Sequence, residues 1–380
     1  MSILVIGRGM PDEQDRTLGI FELDQAMALA DQGAEVIYFG IDTRSLRWKR
    51  KLGMTSGMCG RVRWYCISVP VGAIPIEIRV LIAKAALMML VNRVFRKEKL
   101  PGLVHAHFGE QGCIVADWAE KNAIPLVVTE HFSRMNQETV SAGLKRCSTY
   151  AYRHATRVIT VSKKLQASIL RHTGIESIVI PNVVDVETFC SGAPMAHERF
   201  RYVTTGRLIP QKRVDWVIEA LGVIWKEVPS VELHILGDGS QKSELERLIV
   251  QLGLQDRVIL HGMVTRQEMA EIYREADVFV LPSESETFGV AYIEAMAAGL
   301  PVISTRCGGP EEFINQRNGL LIDVDDKAHL ERAMLDMHAR YDCFDKKLIQ
   351  DFACQTYSRR VIGTKLMELF REIIDDHARQ

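Results

Sequence analysis

Strand-length apolar runs alternate with helical patterns along the chain, which predicts an α/β protein built on parallel sheets covered on both faces. At 380 residues the chain exceeds one ordinary core, so two domains are expected. The stretch 181–194, PNVVDVETFCSGAP, has poor helical periodicity and proline at both ends, and marks the boundary. The expected organisation is a Rossmann-like domain over 1–185 and a second over 186–356. A final helix over 357–380 has no strand after it and is free to cross back to the first domain. Two such doubly wound sheets would face a cleft between their strand ends.

The elements follow in order. ILVI (3–6) is a strand, the run 19–31 an amphipathic helix, and EVIYFG (35–40) the next strand. The segment 74–95 is the longest apolar stretch, but Glu77, Arg79 and Lys84 interrupt it. It reads as an amphipathic helix, packed on the core or lying on a membrane surface. LVHAHF (103–108), PLVVT (125–129), RVITVS (157–162) and SIVIP (177–181) are further strands, with helices to about Asn122 and Arg171. The second half repeats the theme with YVTTG (202–206), VELHILG (231–237), RVIL (257–260), VFVLP (278–282), PVIST (301–305) and GLLID (319–323).

A hydrophobic fraction of 47%, a charged fraction of 25% and a net charge of -1 describe a soluble globular protein and give no global signal for nucleic acid. The charge is uneven: residues 1–185 hold 24 Lys+Arg against 17 Asp+Glu, and the remainder 23 against 31. The first half is therefore the side to meet something anionic, unless the imbalance is surface scatter. Eight cysteines without a C-x-x-C pair read as reduced thiols, and no signal-peptide pattern precedes the first strand. A cytoplasmic location follows as the expectation.

Two segments carry chemistry. GRLIPQKR places Gly206, Arg207 and Lys212 in a turn after a strand. SESETFGVAYIEAMAAGLPVIS (283–304) carries Glu286 and Glu294 in the pattern E-x7-E. Breaking the bond between a sugar and a nucleoside diphosphate leaves charge on the diphosphate, which a guanidinium fork and an ammonium can hold. Gly206 lets backbone approach closely. Phe288, Gly289 and Val290 open a helix that Gly299 and Pro301 end, and a helix start beside glycine is an anion site. The two glutamates would hold sugar hydroxyls. Against this stand a solvated turn for the cations, dipole compensation for Glu294 and a solvated loop acid for Glu286.

GRLIPQK followed by E-x7-E within FGVAYIEAMAAGLPVIST resembles the GT-B glycosyltransferases, in particular glycosyltransferase family 4. GIFELDQAMALADQGAEV (19–36) is similar to the family's first glycine loop and helix, HAHFG (105–109) and VVTEHFS (127–133) to its acceptor-side strand ends. VIPNVVD (179–185) is similar to its linker and HGMVTRQEM (261–269) to its base-binding loop. The resemblance implies that Arg207 and Lys212 bind the donor diphosphate and Glu294 the ribose. Glu286 would hold the transferred sugar beside the backbone of Phe288, Gly289 and Val290. Met263 and Val264 would meet the base, His131 the sugar at the reacting centre, and Gly19 the phosphates. Catalytic roles thus fall to His131, Glu286, Arg207 and Lys212. The implied partners are a nucleotide-sugar donor and a saccharide or lipid-linked acceptor, with no cofactor and no metal. The implied chemistry is retention by front-face transfer, within surface-glycan assembly. The chain departs from the family at Leu18, where a glycine usually precedes Gly19, and at Gln211 and Val183, where glutamate and glycine are common.

Other signals have plainer readings. Gly7-Arg8-Gly9 lacks the third glycine of a dinucleotide fingerprint, and Gly237-Asp238-Gly239 suits a tight turn. Asp323-Val324-Asp325 matches a metal-binding D-x-D, yet its place before a helix suits an N-cap at Asp325 or Asp326. His105 and His107 share one strand face without a third zinc ligand at a telling spacing. Arg44, Arg47, Trp48, Lys49, Arg50 and Lys51 form either a solvated loop or a patch that docks the first domain on an anionic membrane at its inner face. Two alternatives to glycosyl transfer stand: a sugar-nucleotide epimerase or hydrolase, which needs no acceptor, and a non-catalytic sugar-nucleotide-binding subunit.

Overall fold

The computed structural model describes residues 1–12, 15, 18–45, 47, 50–72, 74–192 and 197–379. The chain divides into two compact units, Met1–Val183 with Arg359–Gln380, and Val184–Ser358.

In the first unit the elements run β1 (Ser2–Gly7), α1 (Ile20–Asp31), β2 (Glu35–Asp42), β3 (Gly53–Cys59), β4 (Val62–Ser68), α2 (Ile76–Val94) and β5 (Leu103–His107). They continue with α3 (Phe108–Lys121), β6 (Leu126–Glu130), α4 (Ala142–His154), β7 (Arg157–Thr160), α5 (Lys163–Thr173) and β8 (Ile178–Val179). Eight strands form one sheet in the order β3-β4-β2-β1-β5-β6-β7-β8. Pairing is parallel, with Leu4 facing Ile37 on β2 and Val104 on β5, except for the antiparallel β3–β4 hairpin. That hairpin is absent from the strands expected from sequence. β3, GMTSGMC, is a largely exposed edge strand of small and flexible residues that gives no apolar run.

The second unit holds α6 (Val186–Phe189), β9 (Phe200–Thr205), α7 (Val214–Ile224), β10 (Val231–Leu236), α8 (Lys242–Gln251), β11 (Val258–Gly262) and α9 (Arg266–Arg274). It continues with β12 (Val278–Leu281), α10 (Val290–Ala297), β13 (Val302–Thr305), β14 (Gly319–Ile322), α11 (Lys327–Ala339) and α12 (Lys346–Tyr357). Six parallel strands are ordered β11-β10-β9-β12-β13-β14, so the strand order reverses between β9 and β12. Helix starts follow local chemistry: Thr265 and Glu268 form a capping box on α9, and Asp326 caps α11 by accepting from the His329 N–H at 2.8 Å.

The last helix, α13 (Arg359–Arg379), belongs to the first unit. Its Ile362, Leu366 and Phe370 join Ile3, Val5, Leu29, Val36 and Leu103 in one core. Gly363 lies so close to α1 that a Cβ would stand 2.8 Å from the Ala28 carbonyl oxygen. Arg359 pairs with buried Asp24 of α1 at 3.4 Å.

The reading of all eight cysteines as thiols is corrected at one pair. Cys190 and Cys354, 164 residues apart, form a disulfide between the end of α6 and α12. So wide a separation leaves no spacing pattern to read. Among the described residues, no helix is long and apolar enough to cross a membrane.

Candidate functional site

In open parallel sheets a ligand binds beyond the carboxyl ends of the strands, where the strand order reverses. In the second unit that point lies between the loops after β9 and β12, and these loops carry Arg207–Lys212 and Ser283–Gly289. The two loops are laced together. Lys212 Nζ meets Glu286 Oε1 at 2.5 Å, and the Ser283 hydroxyl donates to the same oxygen at 2.8 Å. The Gln211 side chain donates its amide N–H to the Ser285 carbonyl at 3.1 Å, and its backbone carbonyl accepts from the Glu284 N–H at 2.9 Å. The glutamine found in place of the family's glutamate therefore works as a strap between the loops. Arg207 is exposed, and its side chain makes no hydrogen bond or ion pair among the described residues.

Gly289 caps α10 with φ 93°, a left-handed conformation, and a Cβ there would stand 2.8 Å from the Tyr292 ring. Phe288 is buried against Phe313 and Tyr357, at ring-centroid distances of 5.8 and 5.4 Å, which anchors the helix start. Val290 is the first residue of α10, and Glu294 sits buried one turn on, 3.9 Å from Arg266. Arg266 also reaches Asp185 at 3.9 Å. Met263 and Val264 line a hollow with His261, Ile272, Glu268, Glu271 and Glu275. Arg207, Lys212, Glu286, Gly289 and Glu294 thus follow β9 and β12, and Met263 and Val264 follow β11.

Sequence reasoning passed over the support for this arrangement. Gly237 and Gly239 after β10 press on the first loop, where Cβ atoms would stand 1.9 Å from the Gly206 carbonyl oxygen and 2.3 Å from that of Leu208. The G-D-G at a strand end was the available signal. The D-x-D is taken up by pairing: Asp323 with Arg306 at 3.4 Å, and Asp325 with Arg213, which also holds Glu284 at 3.0 Å. Asp326 is the N-cap. No group of three or more metal-ligating side chains occurs among the described residues.

In the first unit, the order reverses between β1 and β5. Gly19 caps α1 with φ 72°, and a Cβ would stand 2.3 Å from the Gly9 carbonyl oxygen. The Tyr38 hydroxyl donates to that same carbonyl at 2.6 Å, and Leu18 packs over Gly9, so this loop is tight without paired glycines. His131 follows β6, is buried, and lies 2.9 Å through Nε2 from Nδ1 of His107. His105 bonds Thr129 at 2.7 Å. Burial lowers His131 to about 4, with Glu22 pulling upward and Arg8 downward. Burial likewise lowers His105 to about 3 and holds His107 well below its ordinary value. All three are therefore neutral at pH 7.

Three buried or half-buried charges around His131 were not foreseen. Arg8 donates to Glu22 at 2.8 Å and lies 3.8 Å over the Phe108 ring. Glu130 accepts from the backbone N–H groups of Gly109, His131 and Phe132 at 2.8–2.9 Å and from the Tyr152 hydroxyl at 2.5 Å. Burial raises its pKa even so. A charged residue ending an apolar strand, as in VVTEH, was the signal. The basic stretch after β2 is less available than it reads. Arg44 pairs with Asp42 and Asp15 at 2.9 and 2.8 Å, and Arg50, almost fully buried, with Asp42 at 2.7 Å. Arg47 and Lys51 are exposed, and Trp48 and Lys49 lie outside the described residues.

Known proteins share this fold and these sequence regions. Residues 22–188 match the family described as Glycosyltransferase Family 4, and residues 199–340 match Glycosyl transferases group 1. The chain is 30% identical over 237 residues to an uncharacterised glycosyltransferase of Methanocaldococcus jannaschii, covering 62% of this chain and 65% of the relative. Matches to two further curated relatives span 52% and 65% of their lengths. By structure the chain is similar to sucrose-phosphate synthase from Thermosynechococcus elongatus, at 20% identity and a TM-score of 0.80 over 99% of this chain and 100% of that one. It is also similar to HepE of Anabaena in complex with UDP and glucose, at 19% identity and a TM-score of 0.73 over 98% and 100%. These two likenesses speak for the fold. The chain belongs to the GT-B glycosyltransferases, with a Glycosyltransferase Family 4 region followed by a Glycosyl transferases group 1 region.

Proposed function

We propose that the protein is a retaining, metal-independent glycosyltransferase that moves a hexose-type sugar from a nucleoside-diphosphate sugar to a saccharide or lipid-linked acceptor in cell-surface polysaccharide or lipopolysaccharide assembly. The observation that carries this reading is the Lys212–Glu286 pair, which holds a cation and a sugar-binding carboxylate together at the reversal of the strand order, with Arg207 on the same loop. HepE, a protein of this fold, was solved with UDP and glucose, which supports the donor class.

In this reading the donor diphosphate draws Lys212 and Arg207 to its oxygens, and the N–H groups opening α10 add positive potential. The sugar's hydroxyls donate to Glu286, the ribose hydroxyls to Glu294, and the base stacks along the backbone of Met263 and Val264. The bond from the anomeric carbon to the β-phosphate oxygen breaks while the acceptor oxygen bonds the same face. The acceptor's proton passes to the departing phosphate, whose charge the two cations hold. Neutral His131 supplies a hydrogen bond to the sugar rather than a charge. No metal enters, and chelator is expected to leave turnover intact; activity lost to chelator and restored by manganese would overturn that part.

The test is thermal shift without metal across UDP-, GDP-, ADP- and dTDP-sugars, for the native chain and Arg207→Ala. One base family should raise the midpoint of the native chain, by mass action on the folded state, and lose that effect in the variant. Product analysis with the responding donor alone then separates transfer from epimerisation or hydrolysis, since transfer gives no product without acceptor. No shift with any donor would count against the reading.

A further inference from the structure

Arg8 commits one side-chain nitrogen and keeps two. It follows β1, where the strand order of the first sheet reverses. Its Nε donates to Glu22 Oε1 at 2.8 Å, and its two terminal nitrogens make no hydrogen bond or ion pair among the described residues. The side chain is 36% exposed, while that of Glu22 is wholly buried. A guanidinium present only to neutralise a buried carboxylate grips both oxygens in parallel. Here Glu22 Oε2 has no hydrogen-bond partner among the described residues. Arg44, after the adjacent strand β2, shows the contrast: it commits Nε, Nη1 and Nη2 to Asp42 and Asp15.

The guanidinium is also held from below. It lies 3.8 Å over the Phe108 ring. Phe108 opens α3 with φ 69°, a left-handed conformation that a bulky side chain rarely adopts. Such strain persists where the surroundings impose it, and it clusters at ligand sites. The Phe108 side chain is buried, with its ring centroid 5.1 Å from that of His131 and 6.3 Å from that of Phe132. Glu22 from α1 thus aims the guanidinium, and Phe108 from α3 supports its face. The freedom that a long side chain loses on gripping a ligand is already lost here, which favours binding.

Two N–H donors in one plane fit two oxygens of a carboxylate or a phosphate. The nucleoside diphosphate of the donor reading has its cations, Arg207 and Lys212, in the second unit, whereas Arg8 lies in the first, one aromatic ring from His131. We propose that Arg8 binds a carboxylate or phosphate group carried by the acceptor, so that the acceptor is an acidic or phosphorylated saccharide rather than a neutral one. The anion is argued from the first unit alone; that its bearer is the acceptor rests on the glycosyl-transfer reading.

The test is isothermal titration of the full chain with glucuronate, galacturonate, glucose 1-phosphate and glucose 6-phosphate, against glucose and galactose. Each is titrated alone and with the nucleoside diphosphate that the thermal shift selects. The uronates and the sugar phosphates are the arms that tell the two anions apart. One arm should bind more tightly than its neutral sugar by about ten- to hundredfold, the worth of a charge-assisted pair, and Arg8→Gln should remove that preference. Arg8→Lys keeps the charge without the fork and should retain only part of it. Arg8→Gln combined with Glu22→Gln removes the buried charge with its partner, and gives the same reading should the single variant unfold. Equal binding of acidic and neutral sugars by the native chain, or a preference that survives Arg8→Gln, would overturn the inference. So would an Arg8→Lys chain of native unfolding midpoint that loses the donor-induced thermal shift, since the fork would then serve the donor diphosphate. Failure of the donor reading shows differently: the native chain lacks the donor shift and keeps its preference for the acidic sugar.

Discussion

At the scale of single residues, Glu130 shows how a buried charge is kept. Its two oxygens are divided, Oε1 accepting from the N–H groups of His131 and Phe132, and Oε2 from Gly109 and Tyr152. One carboxylate thus fixes the turn that carries His131 and the first turn of α3. Removing it strands those donors in a buried site, at about 1–3 kcal/mol for each left unpaired. Glu130→Ala is expected to cost roughly 3 kcal/mol or more in urea unfolding, and Glu130→Gln about half as much, because its remaining carbonyl still serves the Oε1 side. Equal losses in the two variants would show that charge rather than acceptor geometry holds the turn. In the second unit, Lys212→Ala removes a cation and leaves Glu286 Oε1 with the Ser283 hydroxyl but without its ammonium partner. The expected result is nucleotide-sugar binding weakened tenfold or more, with a rate loss of about 10²–10³. Glu294→Ala should weaken binding in calorimetry as well, and native-like affinity in both variants would sink the site assignment.

At the scale of elements, the site is a product of loops pressed together after parallel strands. The loop after β10 supports the loop after β9 through Gly237, whose φ of 135° and 1.9 Å Cβ clearance from the Gly206 carbonyl leave no place for a side chain. Gly237→Ala is expected to displace the Arg207–Lys212 turn and weaken donor affinity at least tenfold, while Gly253→Ala, also at positive φ but with open space, leaves affinity unchanged. Isothermal titration with the responding donor reads both. The strands at these loops were legible because each is a buried apolar run followed by a turn, as VFVLP and YVTTG are. Edge strand β3 was not, because it is exposed and has no apolar pattern to read, and β4, whose VRWYCIS does carry buried Val62, Cys66 and Ile67, was passed over with it. The cations and glutamates of the site were legible because their types and spacing announce a diphosphate and hydroxyls. The Arg8–Glu22 pair and the Glu130 anchor were not, because their meaning lies in contacts 14 to 22 residues apart, which spacing does not encode.

At the scale of the whole molecule, buried histidines set how stability responds to acid. His105, His107 and His131 in the first unit are held neutral by burial, and in the second unit burial lowers His234 to about 4 and shifts His261 down as well. His234 and His261 lie 3.0 Å apart, as His107 and His131 lie 2.9 Å apart, so in each pair one ring donates and the other accepts, an arrangement that a second proton breaks. Their folded pKa values lie below the ordinary value of 6.5, so the unfolded chain binds protons first. Stability is therefore fully present above pH 6.5 and is lost as pH falls toward the folded values. Each such histidine contributes a slope of about 1 kcal/mol per pH unit in that window. Glu130, whose pKa is raised by burial, takes up its proton in the folded chain before the unfolded one does, so it acts in the opposite sense and offsets part of the histidines' decline at the acid end of the window. Urea unfolding at pH 7, 6, 5.5 and 5 should show a steep decline, and His131→Gln should lessen the slope by about one histidine's share. A flat profile across that window would mean that these rings take up protons in the folded chain at the same pH as in the unfolded one, so that burial does not hold them neutral.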